Sequence, residues 1–265
     1  MIFRVGSYRF EFRALGSVYF PPGKAGNVLR GALGGVLAGC APVSGRRPSG
    51  LKEPPRPFVL RVAHLDGRRF EPGELFAVDV HVFDLHARLF EMFEDAFANL
   101  AVAGLGPGRG AVELVRPGKS SIAAIDLDTP AESASRIRVF FRTPTELKGN
   151  PSPDELPFGV LFARIRDRIA TLCSLYGDAP LSIDFAALGD RANQVKTLRC
   201  DLEYHDVSRH SSRTGAVHGI GGFTGTMEYE GDVAEFLPYL RAAWRTGAGR
   251  HTVWGNGVIE VAVIG

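Results

Sequence analysis

Cysteine is scarce: Cys40, Cys173 and Cys200 are the three in 265 residues. They are odd in number, far apart and never in a C-x-x-C pair, which leaves both a disulfide framework and a zinc site without support. They read as reduced thiols, with Cys173 and Cys200 in the core. Lysine is almost as rare, at positions 24, 52, 119, 148 and 196 only. The basic residues are otherwise arginine, whose planar fork suits phosphate better than an ammonium does. Codon bias accounts for that composition equally well. Long apolar runs are missing too. Arg4, Arg9, Glu11, Arg13 and Lys24 interrupt the N-terminal stretch, so it holds no signal-peptide core, and no later run reaches the ~20 residues of a membrane span. The expected protein is soluble and cytoplasmic, without membrane contact. Its acidic residues show no paired-carboxylate or metal-ligand spacing, so no metal and no other cofactor is assigned.

What is there is enough for a packed core, with 45% hydrophobic residues and a formal net charge of only +2. Ile2 to Leu15 alternates and reads as a strand, broken by Pro21, Pro22 and Gly23. Val28/Leu29, Ala32/Leu33 and Val36/Leu37 then recur at helical spacing. After a Pro/Gly/Ser/Arg loop, Phe58–Ala63 and Leu75–Phe83 read as strands. A second helix is expected over about Leu85–Val102, with Leu89, Phe93, Phe97 and Leu100 on one face. It runs into GLGPGRGAVELV, glycines followed by a strand.

The pattern then starts over. IRVFFRTPT is a strand, and Phe158–Tyr176 a helix whose stripe is Leu161, Ile165, Ile169, Leu172 and Tyr176, with Arg164, Arg166 and Arg168 largely off it. LRCDLEYH alternates strictly, placing Leu198, Cys200, Leu202 and Tyr204 inward. Gly222–Glu230 is another strand, and the helix carrying Phe236, Leu240 and Trp244 leads into GAGRHTVWGNGVIEV. Pro238 predicts a loose or kinked first turn there. A βαββαβ order written twice implies an α+β chain of two tandem ferredoxin-like, RRM-like domains, residues 1–134 and 135–265.

The two glycine loops follow a helix and precede a strand. A dinucleotide fingerprint or a P-loop needs the reverse order, so both fit poorly. The loop meets the electronegative end of its helix, so Arg250 and His251 must supply the positive charge for any anion. The bland alternative is that Gly247, Gly249, Gly255 and Gly257 only end the helix and turn the chain.

Three stretches carry a family resemblance: KAGNVLRGALGGVL with GLKEPPRPFVLRV after it, RHSSRTGAVHGIGGFTGTMEYEG, and the terminal GAGRHTVWGNG. Together they resemble the CRISPR repeat-processing endoribonucleases of the RAMP superfamily, the sixth Cas protein family, which are built from tandem ferredoxin-like folds. The resemblance implies metal-independent cleavage of CRISPR repeat RNA, in which a 2′-hydroxyl attacks the adjacent phosphate to leave a cyclic phosphate and a 5′-hydroxyl. It also implies that the product stays bound as guide RNA and that other Cas effector subunits are partners, with no direct DNA contact. Many relatives carry a catalytic histidine in or just after the first helix, but Lys24 to Cys40 holds none and the first histidine is His64. Some branches rely on arginines instead, which makes Arg30 the candidate stabiliser. Similar sequences often have a cysteine cluster after that helix; only Cys40 remains here.

His210, flanked by Arg209 and Arg213, is the candidate general base, because neighbouring guanidiniums favour a neutral imidazole. Lys24, Arg209, Arg213, Arg250, His251 and the four loop glycines are the candidate RNA contacts. Trp254 suits stacking on a base or burial beneath the loop, and Tyr19 a proton donor, a stack on a base, or a strand-end core or rim position. Arg46 and Arg47 suit a phosphate contact or a solvated pair. His64, His81, His86, His205 and His218 have no neighbours that single them out. Two other functions stay open: a non-catalytic RNA-binding RAMP subunit of an effector complex, and a small-molecule module on the same fold.

Overall fold

The computed structural model describes residues 1–33, 54–129, 132–148, 156–206, 208–210, 217–219 and 221–265. Cys40, Arg46, Arg47 and Arg213 lie outside them. In the first half, β1 (Ile2–Ala14) and the two-residue β2 (Val18–Tyr19) precede α1 (Ala25–Ala32). Then come β3 (Phe58–Arg61), β4 (Arg69–Phe70), β5 (Leu75–Val82), α2 (Leu89–Ala98) with its short continuation α3 (Leu100–Ala103), and β6 (Val112–Asp126). The second half runs β7 (Arg136–Thr145), α4 (Phe158–Tyr176), α5 (Phe185–Ala192), β8 (Lys196–His205), a small hairpin of β9 (Ser208–His210) and β10 (Val217–Gly219), β11 (Gly222–Glu230), α6 (Leu237–Thr246) and β12 (Ile259–Val263).

Each half builds a four-stranded antiparallel sheet, ordered β3-β5-β1-β6 in the first and β12-β7-β11-β8 in the second. In both, the first and third strands of the βαββαβ unit are central and the second and fourth are edges. Two ferredoxin-like units therefore stand in tandem.

The differences from the sequence reading have local causes. The second helix starts at Leu89 rather than Leu85, because Asp84 Oδ1 accepts the amides of His86 and Ala87 (3.1 Å each) in a turn that competes with the helix. Strand β6 runs on past Val115 through Pro117 and Gly118 to Asp126; it is an edge strand, and the register shift opposite Arg9 and Glu11 absorbs the proline. β8 is the opposite edge, so its alternation does not bury it: Leu198 and Tyr204 are exposed, and Cys200 is half-buried rather than core. Cys173 is buried, which pushes its thiol up to about 11. Asp184, whose side chain accepts from the Ala187 amide (3.0 Å), caps α5, a helix the sequence reading passed over. Pro238 falls in the first turn of α6 after a 3₁₀ turn at Ala234–Phe236, where its missing N–H costs nothing.

β1 uses both faces. Phe10, Phe12 and Ala14 enter a core with Leu29, Phe93 and Phe97, while Phe3 and Val5 enter the core of the second half along with Val59 and Phe83. Where that shared face meets α4 and α6 it turns basic. Every one of the last four carbonyls of α6 is capped: Ala243 by the Gly247 amide (2.8 Å), Trp244 by Arg61 Nε (3.0 Å), Arg245 by His81 Nδ1 (3.2 Å) and Thr246 by Arg168 Nε (2.9 Å). Arg164 and Arg168 therefore do not fall away from the packed face of α4; Arg168 turns into the seam between the halves, and Arg164 Nε is buried. Burial, and secondarily Arg168, lowers the Arg61 guanidinium to about 9, and burial lowers Arg168 to about 10. Both stay charged at neutral pH, opposite the negative end of a helix dipole.

His81 is held to about 3, first by burial and then by Arg61, so it is neutral in the fold. A carbonyl only accepts, so the ring proton sits on Nδ1. Because the folded value lies below the ordinary 6.5, the unfolded chain binds a proton between pH 6.5 and 3 that the folded chain excludes. The stabilisation is full above that window and is lost as pH falls through it. His81→Asn keeps a donor for the Arg245 carbonyl and removes the titration, so the urea midpoint of the variant should fall less steeply than that of the wild type between pH 7 and 4.

Candidate active site between the first helix and the glycine loop

α6 ends where Gly247 takes φ 76°, and the chain then folds over the end of β7. The Ala248 amide bonds the Gly257 carbonyl (2.8 Å) and closes the neck of the loop. Arg250 and Gly257 donate their amides to the Glu146 and Pro144 carbonyls (2.9 and 3.0 Å), and Thr143 Oγ1 both donates to the Gly255 carbonyl and accepts from the Val258 amide. A side chain at Gly249 or Gly257 would collide with the Glu146 or Ala248 carbonyl, at 2.2 and 2.0 Å from the new Cβ. Those two glycines are demanded by the loop's own packing.

The first half supplies the other wall. The α1 amides at Gly23, Lys24 and Ala25 are taken by the Asp66 carboxylate (2.5–3.1 Å), so the positive end of this helix is already satisfied. One residue into the helix, Gly26 lies so close to the loop that a Cβ would sit 1.8 Å from the Trp254 carbonyl oxygen. A turn later, the Arg30 guanidinium stacks over the Trp254 ring, 4.4 Å from its centroid. Trp254 is thus half-buried under Arg30.

Between these walls opens a cleft of about 170 Å³, lined by Asn27, Asp66, Arg142, His251, Trp254 and Asn256 among others. Arg142 reaches it while paired with Glu260 (2.7 Å). Glu146 holds the loop's two basic side chains at once: Oε1 accepts from Arg250 Nη1 (2.7 Å) and Oε2 lies 3.4 Å from His251 Nε2. The first half's loop is a backbone twin. Gly104 and Gly247 share φ 70–76° and ψ 164°, and Arg109 and His251 are both left-handed, with φ 48° and 57°.

The structure gathers Gly255 and His251 at this cleft, with Arg30 stacked on its Trp254 wall and Arg250 beside it, while Lys24 lies exposed at the start of α1. Arg209 and His210 are on β9, where His210 pairs with Val217 of β10. That hairpin leaves the sheet at the His205–Gly222 pair, beside the end of β7, because Phe223 pairs with Thr145. Other histidines whose side chains are described are occupied elsewhere. His205 meets Thr224 Oγ1 (2.7 Å), His64 the Ala77 carbonyl (2.9 Å), and His86 approaches Asp178 (3.6 Å). Among the described residues no group of three His, Cys, Asp or Glu side chains is placed to hold a metal ion, and no helix is long and apolar enough to cross a membrane. Gly26 and Glu146 were missed in the sequence; a glycine inside an apolar helical stripe was the available sign of close backbone approach for the first, and nothing local marked the second.

Residues 139–259 match the family of the CRISPR-associated endoribonuclease Cas6, and residues 41–124 match a separate N-terminal-domain family. The chain is an α+β protein of two tandem ferredoxin-like units. Its second half carries the sequence pattern of the Cas6 endoribonuclease family. Its fold superposes on Cas6 in a product complex (19% identity, 98% of this chain and 100% of that one, TM-score 0.61) and on Thermus thermophilus Cas6 (16%, 97% and 98%, 0.57). It also superposes on part of a chain in a partial Cas6-RT-Cas1–Cas2 complex (11%, 98% and 46%, 0.60). No curated protein sequence matches it.

Replacing Gly26 by Ala tests the contact between helix and loop. Helix propensity alone predicts stabilisation by up to about 1 kcal/mol. Collision with the Trp254 carbonyl predicts the opposite sign, a fall in melting temperature of roughly 2–10 °C from overpacking of about 1–3 kcal/mol. Thermal unfolding of the variant reads the sign directly.

Proposed function

We propose that the chain cleaves CRISPR repeat RNA at the cleft between α1 and the glycine loop. The carrying observation is that a loop and a helix from opposite halves are locked together by the Gly26–Trp254 and Arg30–Trp254 contacts, with Arg30, Arg142 and Arg250 on or beside the resulting groove. A groove of arginines is suited to a phosphodiester, and its small volume to one linkage of a strand rather than a whole small-molecule ligand. The reaction is metal-independent. The 2′-oxygen attacks the adjacent phosphorus, the 5′-oxygen leaves, and the phosphorane's charge needs a fixed cation. Arg30 has that role, since the indole beneath it restrains the guanidinium before RNA arrives. His210 is the general base, on a hairpin rooted at the same end of the second sheet as Glu146. Arg250, Lys24, Arg209 and Arg213 bind the repeat backbone, and the product remains bound as guide RNA for other Cas subunits in the cytoplasm.

A second reading, a non-catalytic RNA-binding subunit, is favoured by one feature: no histidine lies between Lys24 and Cys40. Repeat RNA incubated with the protein in EDTA decides between them. Cleavage at one site is expected, and a 2′-deoxy at that site should abolish it while sparing binding; uncut RNA in a stable complex is the outcome for the second reading. Arg250→Ala should weaken RNA binding and flatten the salt dependence of log Kd by about one unit. His210→Ala should slow the saturated single-turnover rate by on the order of a hundredfold.

A further inference from the structure

Glu146 carries a second consequence for the cleft. Its carboxylate touches both Arg250 and His251, so the loop's positive charge is partly neutralised where an anion seat would keep it whole. A carboxylate against the ring of a cleft histidine is instead the arrangement used to orient an imidazole and to balance its charge when it carries a proton. Among the histidines whose side chains are described, His251 alone lines the cleft. Its ring is partly screened, at 28% exposure, and the backbone fixes it further, since φ is 57° and the following three residues form a 3₁₀ turn.

Among the described residues, His251 and Arg109 are the non-glycine residues that take the left-handed conformation. Glycine or asparagine would adopt it at lower cost. The other charged groups around the cleft are Arg30 on α1, Arg142 on β7, Asp66 on the cleft wall and Arg250 on the loop itself.

We propose that His251, oriented by Glu146, is the general acid that protonates the leaving 5′-oxygen, with Glu146 as a positioning residue. This rests on the reading of the cleft as the site of repeat-RNA cleavage. As the P–O2′ bond forms, the P–O5′ bond breaks and its electron pair stays on the 5′-oxygen. That oxygen takes the proton from the His251 imidazolium, leaving neutral His251, a 2′,3′-cyclic phosphate and a 5′-hydroxyl. Water later returns the proton. No oxidant, metal or second substrate is needed. The role is complementary to that of His210, which takes a proton at the opposite oxygen.

The test compares two repeat RNAs, one ordinary and one with sulfur in place of the scissile 5′-bridging oxygen, since a thiolate leaves without protonation. His251→Asn tolerates the left-handed backbone and transfers no proton at neutral pH. It should lower the saturated single-turnover rate on ordinary RNA by about a hundredfold or more, bind with near-wild-type affinity, and cleave the sulfur substrate as fast as wild type. Glu146→Gln should show a smaller loss, on the order of tenfold, rescued in the same way. Wild-type rates for His251→Asn on ordinary RNA overturn the assignment. Equal slowing on both substrates also overturns it and makes His251 a base or a structural residue. If the wild-type protein leaves ordinary repeat RNA uncut, the cleavage reading itself fails and this assignment with it.

Discussion

The C-terminal end of α6 is the point on which the two halves depend. A helix end leaves its last carbonyls unpaired, and burying them without donors would cost more than any nearby apolar contact returns. Here Arg61 and His81 reach them from the first half and Arg168 from the second. Desolvation penalises each buried guanidinium, as the lowered values of Arg61 and Arg168 record, but removing either donor would strand a buried carbonyl. The seam is therefore held by interactions that tolerate little sliding. The apolar contacts of Phe3, Val5, Val59 and Phe83 with the second core add area without direction.

From that anchored end the glycine loop begins, and its path follows from what lies beneath it. Gly247 leaves the helix, β7 supplies the Thr143, Pro144 and Glu146 acceptors, and α1 presses from the other side at Gly26. A cleft bounded in this way has its walls set by backbone packing rather than by flexible side chains. Catalytic groups placed on such walls are held without the entropic cost of ordering them when RNA binds.

Much of this was readable in advance, and the parts that were not have common causes. The βαββαβ order, the stripe of α4 and the burial of Leu89, Phe93, Phe97 and Leu100 all follow from local periodicity, and all are present. Periodicity does not reveal which strands become edges, so β8 was expected to be half-buried. Nor does it reveal what a second layer does to a polar face. Arg168 and His81 look like ordinary surface residues until the seam covers them. In the site, the GAGRHTVWGNG loop and Arg30 were visible as chemistry, while Gly26 and Glu146 matter only through contacts with residues 228 and 105 positions away in the chain, arithmetic that follows from Trp254 and His251.

The capping of α6 from both halves also orders events as the chain is made. A first half folding by itself presents Arg61 and His81 to solvent, with no carbonyls to receive them, and α1 has no loop to rest against. The seam closes only when the last helix docks, so the cleft is assembled late and all at once, from contacts of long sequence separation. A nascent or partly unfolded molecule consequently lacks the site altogether. RNA meets either a finished groove or none.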